Sequence, residues 1–432
     1  MLRTLILGAG IFAALLAVLI FSGKLPVGNG PSKPQGEVIV WGTVSEEGMN
    51  TIIQAFNPQA KTYRVTYRQI PEDNFSQILV EALASGTGPD MIIAPQQILL
   101  SEANRLYTFP VASFSEKTYK DTYVDGASIF FTPYGALAFP ISIEPMVLFY
   151  NRTLLSKHGI ANPPSYWDEV ATDVPKLTLL DDRNQFIESG IALGAPTTPY
   201  AKDIIMAIVN QLGQTPVLKQ YNPDGTTYFN VLANSPVKEG DQVFPLSNVN
   251  RFFVQFGDPT KNTFSWSDYA GNATDQFVAE KLAMYIGYSG ELGTLRSRNP
   301  RGDFEMTYLP QTRGQNTFST GARIYGIATL KATRNLAASL AVQSAFAGGD
   351  VSLQIANLVG GVPAMRGYVT TPGLNDVVSK SMLVARPWYD SYPTKSTGYT
   401  YSMLSDILNN RYGVTDAAAI FVSRMQDTYN PH

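Results

Sequence analysis

The sequence predicts an α/β protein with mostly parallel sheets and helices on both faces. Three observations carry this. Short β-branched runs alternate with amphipathic segments of helical period from Glu37 onward. The chain has 432 residues, enough for two or three domains with ample core. Its composition is that of a folded body, 44% hydrophobic and 16% charged with a net charge of −3.

The same figures exclude several functions. A nucleic-acid binder would show a basic footprint, and none is present. The chain has no Cys, so it has no disulfide, thiolate nucleophile or acylated Cys anchor. Its two histidines are His158 and His432, too few for a His-cluster metal site. No metal and no cofactor is expected.

Leu5 to Phe21 is an uncharged apolar run flanked by Arg3 and Lys24. At 1.5 Å per residue it spans roughly 25 Å, near the lower limit for a bilayer helix. The best small-residue cleavage site, Gly28-Asn29-Gly30, is followed by the obstructive Pro31. Residues 1–22 are therefore expected to be a retained single transmembrane anchor. A cleaved signal and a buried core helix are the alternatives. Residues 23–36, rich in Gly and Pro, are a flexible linker.

Each later element follows from its pattern. Glu37–Thr43 is a β-branched strand ending at Gly42. Met49, Ile52, Ile53 and Phe56 recur at helical spacing before the Asn57-Pro58 stop. Tyr63–Ile70 alternates like a strand, Asn74–Ala84 is an amphipathic helix, and Asp90–Ala94 is a buried strand. In parallel sheets ligands bind beyond the carboxyl ends of strands, here near Trp41–Glu46 and Pro95–Gln97. Gly135–Val170 predicts a strand broken at Phe139-Pro140 and Glu144-Pro145. A second strand passes through Phe149-Tyr150, and a helix ends at Gly159. Another helix opens at Pro163-Pro164 with Ser165 as N-cap. Residues 221–250 read as a loop-bearing stretch, and Leu330–Ala347 and Tyr401–Asn409 as helices.

Enzyme chemistry has little support. Phosphate-loop, dinucleotide, zinc-protease and nucleophile-elbow motifs are missing. The doublets Glu46-Glu47 and Asp181-Asp182 read as solvated acids, and His158 as a helix-end surface residue. Glu144 is unusual, since a carboxylate inside an apolar run is costly unless solvated or paired. A strand-edge carboxylate facing water and a functional group remain open on this evidence.

These motifs, in this order, resemble the extracellular solute-binding proteins of the maltose-binding type, the receptors of ABC importers. The resemblance rests on Trp41-Gly42, Gly86–Ala94, Phe139–Val170, Phe277–Ser289, Gly321–Leu330 and Gly360–Arg366. It implies a two-lobe periplasmic-binding-protein fold with a crossover hinge that closes around a ligand. Lobe 1 would take 37–141 and 327–375, and lobe 2 142–326 and 376–432.

By similarity Glu144 would accept hydrogen bonds from sugar hydroxyls. Gln96 and Gln97 would follow a strand at a polar contact loop. Tyr200 and Tyr288 would face the sugar ring, while Ser45, Glu46 and Tyr399 fall near contact positions. Trp41 opens the first motif, and Trp266 and Trp388 are further aromatic candidates in polar loops. Ala94 stands where some relatives have a stacking Trp, which turns away from a maltodextrin-specific site. No Arg or Lys sits at the matched positions, so the implied ligand is uncharged and hydroxyl-rich.

The implied protein is a monomeric carbohydrate receptor on the membrane that serves ABC permease subunits. It takes no part in nucleic-acid binding or catalysis. A receptor reporting to a membrane signalling partner and a polysaccharide-active enzyme using Glu144 are the alternatives. Mass spectrometry of the mature N-terminus is expected to find Leu5–Phe21 retained. A start near residue 31 overturns that.

Overall fold

The computed structural model describes residues 35–60, 62–222, 227–238, 243–315, 318–369 and 375–431. The expected anchor, and the linker up to residue 34, lie outside the described residues. No helix among the described residues is long and apolar enough to cross a membrane. The chain divides into two compact units. One takes the chain up to Glu144 together with Arg323–Asn375, the other Pro145–Ala322 and Asp376–His432. The expected limits were 141/142, 326/327 and 375/376.

In the first unit, Gly36–Gly42 lies between two parallel partners, Tyr63–Gln69 and Met91–Pro95. Ala322–Thr329 adds antiparallel to Met91–Pro95. Val38, Val40, Ile93 and Ile327 meet Met49, Ile53, Leu340 and Phe346 from the covering helices in one core. The local stops are specific. Ser45 caps Glu46–Phe56 by accepting from the Gly48 N–H at 3.4 Å. The Asn57 amide ends that helix, accepting from Val65 N at 2.8 Å and donating to Val65 O at 3.0 Å. One side chain thus stops a helix and registers the next strand.

In the second unit, Leu282–Tyr288 runs antiparallel to Met146–Tyr150 and parallel to Phe186–Ile191. Phe304–Tyr308 pairs with the other side of Val147–Asn151. Trp167–Leu177, Ala201–Gln211, Pro245–Val254, Pro393–Leu408 and Val414–Tyr429 are its main helices. Gln211 is 1% exposed and organises their packing. Its carbonyl accepts from Trp167 Nε1 at 2.8 Å, and its amide donates to Pro310 O and Ser319 O.

Four expectations are corrected. Phe139–Asn151 is one strand of 13 residues, without a break at Pro140 or Pro145. Proline's fixed φ suits extended backbone and removes only one donor. At Pro145 that missing donor falls where the chain passes from one unit to the other. The described parts of 221–250 carry regular elements beside their loops. Val217–Tyr221 and Thr227–Val231 form an antiparallel hairpin, and a helix starts at Pro245. The helix after Pro164 starts at Trp167 with Tyr166 at its N-cap, and Glu169 reaches back to the N–H groups of Ser165 and Tyr166. The two later helices are Leu336–Phe346 and Pro393–Leu408, one shorter and one longer than expected.

Gln211→Ala should orphan the Trp167 indole N–H and take one of two side-chain donors from each of Pro310 O and Ser319 O, which keep Gln311 Nε2. It is expected to destabilise the second unit by about 2–3 kcal/mol, read as a lower urea midpoint.

Candidate functional site

Strand ends set one edge of the first unit. Gly42 ends the first strand, where a Cβ would stand 2.5 Å from Ile93 O and 2.6 Å from the Tyr67 hydroxyl. Glycine is required there by close approach. Ser45 and Glu46 follow, both exposed. Ser45 is a helix cap, and Glu46 exchanges bonds with Gln69, donating N–H to Oε1 at 3.1 Å and accepting from its N–H at 3.2 Å.

Gln96 and Glu144 are drawn together by two successive residues. Arg323 Nη2 donates to Glu144 Oε2 at 2.9 Å, and Ile324 N donates to Gln96 Oε1 at 3.0 Å. Glu144 is 1% exposed, so the reading of a carboxylate facing water is corrected. The Arg323 guanidinium makes its burial tolerable. Gly361 permits this packing, because a Cβ there would lie 2.9 Å from Ser142 Oγ and 3.0 Å from Glu144 Cγ. Gln97 is half-buried, and its Oε1 is buried with no hydrogen-bond partner among the described residues. Such orphans are uncommon and ask for a ligand or water. Burial holds the nearby Tyr325 phenol up, against the lowering pull of Arg323, so it stays a donor.

The second unit contributes an aromatic wall. Tyr200 and Tyr288 meet edge to face, ring centres 5.0 Å apart and planes at 72°, with Tyr288 3% exposed and packed into the core behind Tyr200. Tyr200 is half-buried with φ of 55° at the N-cap of Ala201–Gln211. A non-glycine residue there is strained by about 1–3 kcal/mol, a feature that clusters at ligand sites. Glu291 fixes Tyr288 from behind, accepting from its N–H at 2.7 Å and from the Tyr285 hydroxyl at 2.5 Å. Burial and then the Glu291 charge push the Tyr285 phenol up, so it remains protonated.

The first turn after Tyr200 adds charge. Lys202 Nζ donates to Asp390 Oδ2 at 2.6 Å, and Trp388 Nε1 donates to Asp203 at 2.9 Å. Trp388 is 7% exposed, with the Lys202 ammonium 5.6 Å over its ring.

Three aromatic candidates are placed elsewhere than expected. Trp41 is 4% exposed, a strand-interior residue under the Arg68 guanidinium. Trp266 is 1% exposed and packs with Phe277 and Tyr285, because the turn that carries it folds back onto Phe256 O. Tyr399 lies inside the Pro393–Leu408 helix, and its hydroxyl is bonded to Thr428.

Sequence reasoning missed Arg323, Tyr325, Lys202, Asp390 and Glu291. Arg323 had a signal, a second charge inside an apolar run that could answer Glu144. No Arg or Lys occupies a matched position, but Arg323 and Lys202 stand beside them. Both cations are present, each facing a carboxylate.

The model of the bacterial extracellular solute-binding protein family matches residues 42–347. The chain belongs to that family. Proteins of Brucella abortus and Brucella suis that are named as binding proteins are 26% identical over 166 residues. That match spans 35% of this chain and only 38% of the length of those relatives.

Solved solute-binding structures match over nearly the whole chain. An ABC substrate-binding protein from Listeria monocytogenes, in complex with cycloalternan, is 17% identical with a TM-score of 0.68, covering 91% of this chain and 99% of that one. A cyclic α-maltosyl-1,6-maltose binding protein from Arthrobacter globiformis is 16% identical with a TM-score of 0.72, covering 92% and 99%. The sugar-binding protein MalE from Xanthomonas citri is 15% identical with a TM-score of 0.71, covering 90% and 96%. At these identities the likeness is one of fold, and the fold is that of a solute-binding protein.

Arg323→Ala should leave Glu144 buried without its guanidinium. It is expected to cost about 2–4 kcal/mol, discounted because Arg323 keeps 30% of its side chain in water. Calorimetry should show a lower Tm for the first unit, partly restored by Arg323→Lys.

Proposed function

We propose that this solute-binding chain captures a carbohydrate outside the cell and delivers it to an ABC-type permease, without a catalytic step. The observation that carries this reading is the pairing of the buried charges beside the candidate residues. Glu144 faces Arg323, and Lys202 faces Asp390. Each of these two pairs cancels its own charge, and both groups offer directed polar atoms. A neutral, hydroxyl-rich ligand fits that chemistry.

The half-buried Tyr200 supplies a ring face for sugar C–H groups, with Tyr288 packed edge to face against it. Gln96, Gln97, Glu144 and Arg323 supply hydroxyl partners, with the orphaned Gln97 Oε1 available to accept. Ser45 and Glu46 are a secondary polar contact, and Trp388 supports the tyrosine wall through Asp203. Membership of an extracellular solute-binding family supports a folded part outside the cytoplasm, and Leu5–Phe21 would hold it at the membrane. Sugar-binding relatives of the same fold support the ligand class, as their names record cycloalternan, cyclic maltosyl-maltose and maltotetraose.

A thermal-shift screen against sugars, polyols, amino acids and peptides tests the proposal. A ligand that binds only the native state raises Tm, by an amount equivalent to about 2.7 kcal/mol at a hundredfold excess over Kd. A saccharide is expected to raise Tm, and Tyr200→Ala to reduce that shift. A shift given by peptides alone overturns the ligand class. Sugar released from glycans and abolished by Glu144→Gln would replace the receptor reading with an enzyme.

A further inference from the structure

A second cavity lies in the second unit, away from the tyrosine wall. It encloses about 630 Å³ and is lined by Phe186 and Lys281, at the amino-terminal ends of two parallel strands. Tyr288 stands at the carboxyl end of Leu282–Tyr288. Six steps of about 3.3 Å separate those ends by roughly 20 Å. The cavity is therefore distinct from the residues assigned above, and its volume falls in the usual range for small-molecule sites.

Its walls combine aromatic faces with unmatched polar groups. Phe186 and Phe264 pair at 5.1 Å, and the buried Trp266 forms part of the lining. Tyr269 lines it too and is 93% exposed, a large ring left in water on a loop. Asp268 is oriented by the Thr197 hydroxyl at 2.6 Å. Neither Asp268 nor Lys281 makes an ion pair among the described residues, although both line the cavity. Gln276 adds an amide that can donate and accept.

We propose that this cavity is a second saccharide site, with Tyr269 as its stacking platform. One carboxylate and one ammonium cancel, so a net ionic ligand gains little there. Acceptor, donor and amide together match hydroxyl groups. The aromatic faces match the C–H side of a sugar ring, which an exposed tyrosine can take up at low conformational cost. The volume suits a short oligosaccharide. The site is independent of the tyrosine wall, so the chain can hold sugar on its second unit whether or not the primary site is filled.

Isothermal titration of the full-length chain with maltotetraose tests this. Two sites per chain are expected. Tyr269→Ala should weaken one of them about tenfold and leave the other, since loss of an aromatic contact is worth about 1.4 kcal/mol. Lys281→Ala should act on the same site, and Tyr200→Ala on the other. A maltotetraose isotherm unchanged by both Tyr269→Ala and Lys281→Ala overturns the proposal, as does an isotherm with no binding. Glycylglycine displacing maltotetraose from the Tyr269-dependent site also overturns it, because the Asp268 and Lys281 pair would then serve a zwitterion. Sensitivity to Tyr269→Ala without sensitivity to Tyr200→Ala keeps this site and leaves the primary one to a saccharide other than a maltodextrin, as Ala94 implies.

Discussion

A strand buried along nearly its whole length must find partners for every backbone N–H and C=O, and Phe139–Asn151 imposes that demand on this chain. In the first unit Val362-Pro363 answers it at Ile143 and Ser142. In the second, Leu282–Tyr288 and Phe304–Tyr308 answer it from both sides. Elements more than 130 residues apart in sequence are held by these pairings. The candidate residues are fixed because the strands that carry them are fixed.

Burying that strand creates the electrostatic problem that shapes the first unit's edge. Glu144 cannot stay ionised in an apolar setting without a partner, and Arg323 supplies one. The adjacent Ile324 N–H holds Gln96. A single strand end thus orients a carboxylate, a guanidinium and an amide with little rotational freedom. Preorganised groups of this kind bind with less ordering cost. Within that cluster the Glu144 and Arg323 charges cancel.

The second unit solves a different problem with aromatic rings. Glu291 holds Tyr288 through its N–H and reaches the Tyr285 hydroxyl. Tyr200 is held at positive φ at a helix start. Tyr288 is packed in the core, and the half-buried Tyr200 ring is held against it with few torsions to freeze. The same unit carries Tyr269 at the opposite strand end, so aromatic presentation recurs on two separate surfaces.

The α/β alternation, the first unit's strands and the family were legible from local patterns, since period and turn residues act over short range. So was Glu144 as an anomaly, because a charge in an apolar run is visible without a structure. The continuity of Phe139–Asn151 was not, since proline reads as a break until pairing shows that its missing donor is harmless. The burial of Trp41 and Trp266 was not legible either, because an aromatic residue in a polar stretch has no local signature of where its ring turns. Nor was the Arg323 partner of Glu144, 179 residues away. The sequence by itself determined the class of fold, the family and the residue types available for binding. Only the tertiary structure decided which charges meet, which rings are spent in the core and which remain for a ligand. Those outcomes depend on contacts between distant segments, and no local pattern encodes them.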